Sequence, residues 1–489
     1  MYQAQIRHHI DSIVVYLNKY FDLINCHMVD YFTNDHWNNL ISEEIRNYVT
    51  ETNIGKLIEQ TFFEQTNNSF NPVEHYVNSC KSLWLENLNI GIDLPDFYRI
   101  IKSVPTEDAL SVKGFMNEKK LHEVEITSNF IANLIKSSDS EGVYIVDAGD
   151  GKGYLSSRMA LQHQLKVLGI DCNETNSEGA TQRNRKLQRV WKGLVERENI
   201  ISIGQKPERR RAKKSQSSTN KTNHTSNASE NYKVVTEFIS PKSNFISMIK
   251  EQFKMDNEEN INICLTGLHT CGNLAPTCLK IFKDQTCIKY LCNIGCCYHL
   301  LNEEFCEDDF FVNKNISSKN KDLGFPLSNY LKESKLVLGR NARMLASQSV
   351  HRTFFNKELP DISLFYRSLL EEIIVAENPL LKNLVQVGKI KKFTNFQHYF
   401  QKCNEKLNLN LSHLSAEYLS TIEKKYHNEQ NKLNLFYFLR MCMAPIIESL
   451  ILLDRLLFLY EENFNKTYLI KLFNPVISPR CYAIVSVKK

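Results

Sequence analysis

A glycine-rich loop after an apolar run is the clearest chemical signal in the sequence. Asp147 is followed by Gly149, Gly151 and Gly153 at intervals of two residues. Glycines at the end of a parallel strand let the backbone approach a ligand and turn into a helix, whose free N–H groups suit an anionic group. Asp171 ends the next apolar run, where a carboxylate can accept hydrogen bonds from ribose hydroxyls. These residues predict a nucleoside-containing ligand.

The spacing separates two classes of nucleotide loop. A dinucleotide fingerprint begun at Gly149 needs glycine at position 154, where Tyr154 stands. The acid and three glycines instead resemble the cofactor loop of class I S-adenosylmethionine-dependent methyltransferases. The resemblance implies that Asp147 helps to place the methionine end of S-adenosyl-L-methionine and that Asp171 holds its ribose. A dinucleotide site and a structural relic stay open as alternatives. The class often contacts adenine through an acidic or polar residue after its third strand, but only Ser240 follows the apolar run there, so we assign no residue to the adenine.

Two further polar segments end apolar runs and are expected at the same edge of a parallel sheet. The first, 265–274, contains His269, Cys271 and Asn273, and the second, 293–300, contains Tyr298 and His299. Either histidine could serve as a general base, because imidazole titrates near neutrality, or could simply form hydrogen bonds there. We assign Cys271, Asn273 and Tyr298 to the substrate rim.

Seven segments in order along the chain resemble the methyltransferase-like protein 25 family. They are 115–124, 146–155, 267–274, 295–301, 339–346, 448–457 and 473–480. The resemblance implies a methyltransferase fold and S-adenosylmethionine-dependent activity. The His-x-Cys-Gly and Cys-Cys-x-His patterns are similar, more distantly, to those of tRNA ribose 2′-O-methyltransferases. The segment after the fourth strand does not resemble the Asn-Pro-Pro-aromatic motif of ribosomal-RNA adenine dimethylases.

The cysteines predict free thiols and no metal site. Eight of the fourteen lie between Cys264 and Cys306, and Cys292 with Cys296 is the only pair near zinc-ligand spacing. Because strand residues alternate between faces, Cys296 and its neighbour Cys297 are not expected to point together. Free thiols used as small apolar residues are the preferred interpretation.

Composition and patterning indicate the organisation of the chain. Its 489 residues, 42% hydrophobic and 24% charged, fit a folded protein of two or three domains. We predict an α/β, Rossmann-like class I methyltransferase sheet with a helical N-terminal lobe and a large helical insertion. The boundaries are a lobe at 1–110, a core at 111–311 with a disordered insertion at 206–232, a helical insertion at 312–465, and the last two strands of the sheet at 466–489. The apolar stretch 446–460 contains Glu448, Asp454 and Arg455, so no membrane partner is expected.

The acceptor is the least constrained part of the function. The basic runs 206–214 and 389–392, the latter followed by Phe393, favour RNA over protein, although the net charge of +5 is small. A protein acceptor, or an inactive methyltransferase fold that serves as an interaction module, stays open. The absence of a signal-peptide pattern predicts a cytoplasmic protein, and the first basic run leaves nuclear import open.

Overall fold

The computed structural model describes residues 2–488 apart from a set of gaps. These gaps are 51, 65–70, 104–115, 138–141, 207–229, 256–259, 307–322, 383, 384, 386, 388 and 389. The chain forms two compact units. The first contains Met1–His8, Asn89–Val337 and Ile451–Lys489, and the second contains His9–Leu88 and Leu338–Leu450.

The first unit is built on a single eight-stranded sheet, which confirms the predicted α/β, Rossmann-like fold. The strands are β1 Ile92–Asp93, β2 Val143–Ala148, β3 Lys166–Asp171, β4 Tyr232–Thr236, β5 Asn262–Cys271, β6 Ile288–Cys296, β7 Thr467–Lys471 and β8 Tyr482–Val487. Their order across the sheet is β1-β7-β8-β6-β5-β2-β3-β4. Only β8 runs antiparallel to its neighbours β6 and β7. The predicted C-terminal hairpin is therefore present.

The strand order reverses next to β2, which pairs with β3 on one side and β5 on the other. All six residues of β2 are buried, as expected for a parallel strand with helices on both faces of its sheet. In open sheets of this kind, ligands bind outside the carboxyl ends of the strands at such a reversal. The glycine loop begins there, directly after β2.

Among the described residues, seven helices belong wholly to the first unit. They are α7 Leu94–Ile100, α8 Glu118–Lys136, α9 Tyr154–Gln162, α10 Glu174–Ser202, α11 Phe245–Phe253, α12 Leu274–Asp284 and α13 Asn329–Glu333. The Asn117 side chain accepts a hydrogen bond of 2.9 Å from the Lys120 backbone N–H, which explains why α8 begins at Glu118. The long α8 and α10 flank the glycine loop in sequence and carry residues that matter for the site.

The second unit is helical. Its helices are α2 Phe21–Asn25, α3 His36–Leu40, α4 Glu43–Thr50, α5 Ile54–Ile58, α6 Pro72–Ser82, α14 Arg340–Leu345, α15 Val350–Phe355, α16 Ile362–Glu377, α17 Phe396–Leu407, α18 Ala416–Tyr426 and α19 Gln430–Met441. Two more helices, α1 Tyr2–Lys19 and α20 Ala444–Glu461, have residues in both units. Within this unit the Trp84 indole N–H donates to the Cys442 carbonyl at 3.0 Å, joining its N-terminal and C-terminal parts.

The observed division differs from the segments read from the sequence. The lobe at 1–110 and the insertion at 312–465 were treated as separate, whereas 9–88 and 338–450 form one unit. Strand β1, inside the predicted lobe, pairs with β7 in the sheet. Most of the predicted disordered insertion lies outside the described residues, but Tyr232, assigned to its end, is instead the buried first residue of β4. No helix in the described parts of the chain is long and apolar enough to cross a bilayer.

Candidate cofactor and acceptor site

The glycine loop adopts a backbone that only glycine accepts without strain. Gly149, Gly151 and Gly153 have φ of +76°, +59° and +67°, in the left-handed region. The N–H groups of Gly149 and Asp150 both donate to the Ile170 carbonyl, at 2.9 and 3.1 Å, which holds the loop against the end of β3. A Cβ on Gly151 would meet nothing nearer than the Gly149 carbonyl at 3.9 Å. The space above Gly151 is therefore open to a ligand.

Asp171 lies beside this open space, as its spacing predicted. Its Oδ2 accepts a hydrogen bond of 3.0 Å from the Gly151 backbone N–H. Its Oδ1 accepts from the Asn173 backbone N–H at 2.8 Å and from the Asn176 amide at 3.1 Å. These three donors fix the carboxylate at the carboxyl end of β3, and its remaining lone pairs stay available to hydroxyl donors. The loop and the acid thus form one cradle that fits a nucleoside.

Asp147 is buried near the end of β2, just before the glycine loop. Its side chain is 2% exposed and accepts a hydrogen bond of 2.9 Å from the Ser156 hydroxyl at the start of α9. Nearby, Asp150 accepts a hydrogen bond from the Tyr232 phenol. Burial, reinforced by the Asp150 carboxylate, raises the pKa of Asp147 well above its usual range, and burial raises that of Asp150 to about 6. The sequence analysis assigned no role to Asp150, Ser156 or Tyr232.

Replacing Asp150 by asparagine should change how stability depends on pH. A carboxyl whose pKa is raised by folding keeps its proton in the folded chain at a pH where the unfolded chain has lost it. The folded wild type therefore binds more protons between about pH 4 and pH 6, and its free energy of unfolding falls as pH rises. Asp150→Asn removes that contribution, about 3 kcal/mol over the interval. Chemical denaturation at a series of pH values measures it.

The exposed Asp284 provides the control for this measurement. Asp284→Asn makes the same chemical change at an exposed position at the end of α12 and is measured over the same pH series. A curve for Asp150→Asn parallel to that of the wild type would show that Asp150 does not titrate in this interval.

The end of β4 provides a candidate adenine contact that the sequence analysis missed. The predicted strand reached position 239, so only Ser240 was considered, but β4 ends at Thr236. Glu237 follows directly, and its backbone N–H donates to the Asp171 carbonyl at 3.0 Å. The next residue, Phe238, is 75% exposed. The β-branched run 234–236 ends where β4 ends, and the sequence could have indicated the end of the strand in this way.

His269 occupies an irregularity at the end of β5. Leu268 pairs with Ile294 and Thr270 with Gly295, so His269 is an extra residue in the ladder, with φ of +69°. Bulges of this kind redirect a side chain and are frequent beside active sites. The imidazole Nε2 lies 3.0 Å from Oε2 of Glu123 on α8.

Glu123 is buried and held from a second direction. Its side chain is 2% exposed, and its Oε1 accepts a hydrogen bond of 2.6 Å from the Ser478 hydroxyl. Burial alone would raise the pKa of Glu123, but the hydrogen bonds from His269 and Ser478 and the nearby charge of Lys119 lower it below its usual value. Glu123 is therefore an ionised partner that orients His269. Its segment was part of the family resemblance, yet nothing in its spacing pointed to the histidine.

The remaining rim residues are placed in different environments. Cys271 is exposed, and Asn273 accepts a hydrogen bond of 2.8 Å from the Asn302 backbone N–H through its Oδ1. Tyr298 is 1% exposed, with the guanidinium groups of Arg455 and Arg480 over its ring at 5.8 and 5.6 Å. The phenol therefore lies in the core rather than on the rim.

Three thiols come together at this edge, contrary to the expectation from strand alternation. Cys271 Sγ lies 3.3 Å from Cys296 Sγ, which lies 3.6 Å from Cys297 Sγ. Strand β6 ends at Cys296, and Cys297 has a left-handed φ of +51°, so the alternation does not continue. His299 follows in a 3-10 turn, Tyr298–Leu300, and contributes with His269 to the electrostatic environment of Cys297.

Helix α10, which follows Asp171, carries a cationic stretch that the sequence analysis did not consider. Between Glu178 and Glu196 there is no acidic residue and there are five cations: Arg183, Arg185, Lys186, Arg189 and Lys192. All of these except Arg183 are exposed. Of the basic run 206–214, residues 207–214 lie outside the described residues. Phe393 packs against Tyr366 and Tyr399, with ring centroids 5.8 and 5.1 Å apart.

Comparisons with known proteins agree with this architecture. A family profile described as a methyltransferase domain matches residues 119–304. Human (Homo sapiens) and mouse (Mus musculus) proteins, both named "Probable methyltransferase-like protein 25", are each 30% identical to this chain. The human alignment covers 99% of this chain and 97% of the human protein, and the mouse alignment covers 98% and 96%. No solved structure matches the chain.

Proposed function

This chain belongs to the methyltransferase-like protein 25 family, and from that premise we propose that it is an S-adenosylmethionine-dependent methyltransferase that acts on RNA. One observation carries the cofactor proposal: the Gly151 N–H donates a hydrogen bond to Asp171, and the space next to Gly151 is open. Both residues lie at the carboxyl ends of strands where the strand order of the sheet reverses. A dinucleotide site is disfavoured by Tyr154, which stands where its third glycine would be.

Residues at the ends of three adjacent strands would hold the cofactor. S-adenosylmethionine supplies an electrophilic methyl group on a positively charged sulfur. Asp171 would accept hydrogen bonds from the ribose, and Glu237 with Phe238 would contact the adenine by hydrogen bonding and stacking. Asp147 lies directly behind the loop, and its buried carboxyl with Ser156 keeps the start of α9 fixed. Gly151 leaves room for the ligand along the backbone, whereas Gly149 and Gly153 let Leu274 and Tyr232 pack against the loop.

His269 is our candidate for the general base, with Glu123 as its positioning residue. When the neutral ring donates its Nε2–H to Glu123, the lone pair lies on Nδ1, which is then free to take a proton from an acceptor hydroxyl or amine. The pairing of a base with an orienting carboxylate is the arrangement used in other general-base sites. His299 stays an untested second candidate.

The cationic stretch of α10 is the observation that favours RNA. Arg185, Lys186, Arg189 and Lys192 are exposed on the helix that follows the ribose-binding acid. Phosphate neutralisation by arginine and lysine supplies most of the affinity of non-specific nucleic-acid binding. An RNA backbone lying along α10 could continue towards the cofactor cradle, because the helix begins three residues after Asp171.

Transfer of a labelled methyl group tests the activity directly. Purified protein is incubated with methyl-labelled S-adenosylmethionine and with separate RNA and protein fractions from cells that lack this chain. We expect label in the RNA fraction and none when Asp171→Ala protein is used. Label confined to protein would overturn the RNA assignment while keeping the enzyme, and no label in either fraction would favour the inactive interaction module.

Neutralising two arginines on α10 should weaken RNA binding in a salt-dependent way. If four cations each neutralise a phosphate, affinity for a single strand should fall about 50-fold between 50 and 200 mM salt. Arg185→Gln with Arg189→Gln should reduce the slope of log affinity against log salt by about 1.4. Fluorescence anisotropy with a labelled oligonucleotide measures both slopes.

The control removes two cations from another exposed helix end. Lys424→Gln with Lys425→Gln, in the last turn of α18, makes the same change in net charge and should leave the slope near that of the wild type. Equal slopes for the two double variants would mean that α10 is not the RNA-binding helix.

A further inference from the structure

Three sulfur atoms converge at the carboxyl ends of β5 and β6. The sulfurs of Cys271, Cys296 and Cys297 all lie within 4.8 Å of one another, and the sulfur of Cys296 lies 3.3 Å from that of Cys271 and 3.6 Å from that of Cys297. In a tetrahedral zinc site the Zn–S distance of about 2.3 Å places sulfurs about 3.8 Å apart. Small side-chain adjustments therefore suffice, and we propose that these three cysteines bind a thiophilic metal ion, Zn²⁺, at a site separate from the cofactor cradle.

The backbone around the cluster is specialised for this convergence. Cys297 and Gly272 both have left-handed φ, +51° and +53°, and His269 is the extra residue of the bulge just before Cys271. A Cβ on Gly272 would lie 2.7 Å from both Cβ and the carbonyl oxygen of Leu300, so the two strand ends approach closely there. Unusual conformations of non-glycine residues concentrate at functional sites. Here they place three thiols together where regular strands would separate them.

The cluster differs from the buried cysteines near it in the first unit. Cys264, Cys278 and Cys292 are fully buried, and burial raises the pKa of the Cys278 and Cys292 thiols to about 12, so they behave as small apolar side chains. By contrast, Cys271 is exposed and Cys297 is half-buried. The cluster therefore offers thiols at a solvent-accessible position, where an ion can reach them.

The chemistry of the donors selects the ion. Thiolates are soft ligands that favour Zn²⁺ or Cu⁺ over Mg²⁺ or Ca²⁺. Binding converts the thiols to metal-bound thiolates and releases the thiol protons to solvent. Three protein ligands leave a fourth position for water, as in zinc sites that are not closed. The ion would join the end of β5 to the turn after β6, on the edge where the acceptor is proposed to bind.

Metal binding by the full-length reduced protein tests the proposal. Zn²⁺ affinity is measured by competition with a chromogenic chelator, and Co²⁺ substitution reports thiolate ligation through its charge-transfer absorption. We expect one ion per chain in the wild type. Cys271→Ser and Cys297→Ser should each weaken binding by at least about 100-fold, since even outer-shell changes cost up to that much. Cys271→Ser removes an exposed side chain, so its folding should be unaffected.

Cys287 provides a matched control at the opposite end of β6. Cys287→Ser should leave affinity within about threefold of the wild type. No stoichiometric binding by the wild type, or equal affinity in the wild type and both cluster variants, would overturn the proposal. S-adenosylmethionine binding is measured on the same samples, so failure of the metal site and failure of the cofactor site are distinguishable.

Discussion

Gly151→Val should reduce affinity for S-adenosylmethionine by about 100-fold while the chain stays folded. Valine is strongly disfavoured at φ of +59°, and its side chain would occupy the open space above the loop. The distortion would also weaken the hydrogen bond between the Gly151 N–H and Asp171, and a bond to a charged acceptor contributes about 1.5–3 kcal/mol. Calorimetric titration with S-adenosylmethionine and with its demethylated product measures the loss.

Gly193 in α10 supplies the matched control. A Cβ there meets nothing within 4 Å, and its helical backbone accepts any L-residue. Gly193→Val should therefore leave both cofactor affinity and the free energy of unfolding near those of the wild type. Affinity in Gly151→Val within threefold of the wild type would show that the loop does not contact the cofactor. If the wild type does not bind S-adenosylmethionine, the proposed methyltransferase activity is contradicted.

The parts of the site that the sequence predicted depend on local spacing. Gly149, Gly151 and Gly153 follow a β-rich run, and Asp171 follows the next one, so a parallel pair of strands already places them at one edge. Their shared position was predictable because β2 and β3 are consecutive in the chain and adjacent in the sheet. The same locality explains why the C-terminal hairpin of β7 and β8 was predicted correctly.

The parts that were missed depend on long-range contacts or on backbone irregularities. Glu123 reaches His269 from 146 residues away, and Ser478 reaches Glu123 across 355 residues. Periodicity contains no information about such pairings. The thiol cluster was rejected on strand alternation, which fails where Cys297 leaves the strand. Likewise, an apolar helical face shows that a partner exists but not which segment provides it, so the joining of 9–88 with 338–450 was not predicted.

Glu123→Gln should lower the rate of methyl transfer far more than it lowers cofactor affinity. The substitution keeps the size of the side chain but removes the carboxylate that lies 3.0 Å from Nε2 of His269. It also allows the amide to present a donor instead of an acceptor to Nε2, which disturbs the orientation of the ring. We expect kcat to fall about 10–100-fold and His269→Ala to cost about 100–1000-fold, within the range for a positioned base. Steady-state kinetics with the labelled donor, over a range of pH, measure both.

The split between kcat and cofactor affinity separates this positioning role from a purely structural one. A positioning role predicts that kcat falls in Glu123→Gln while the affinity for S-adenosylmethionine stays near that of the wild type. Glu118→Gln, an exposed change at the start of the same helix, should keep the wild-type rate and cofactor affinity. A structural role would instead reduce kcat and cofactor affinity together, because a misplaced α8 would disturb the packing of Phe130 against Phe97 in the core. Equal losses of kcat and cofactor affinity, with a lowered melting temperature, would therefore contradict the assignment of His269 as the base and Glu123 as the residue that positions it.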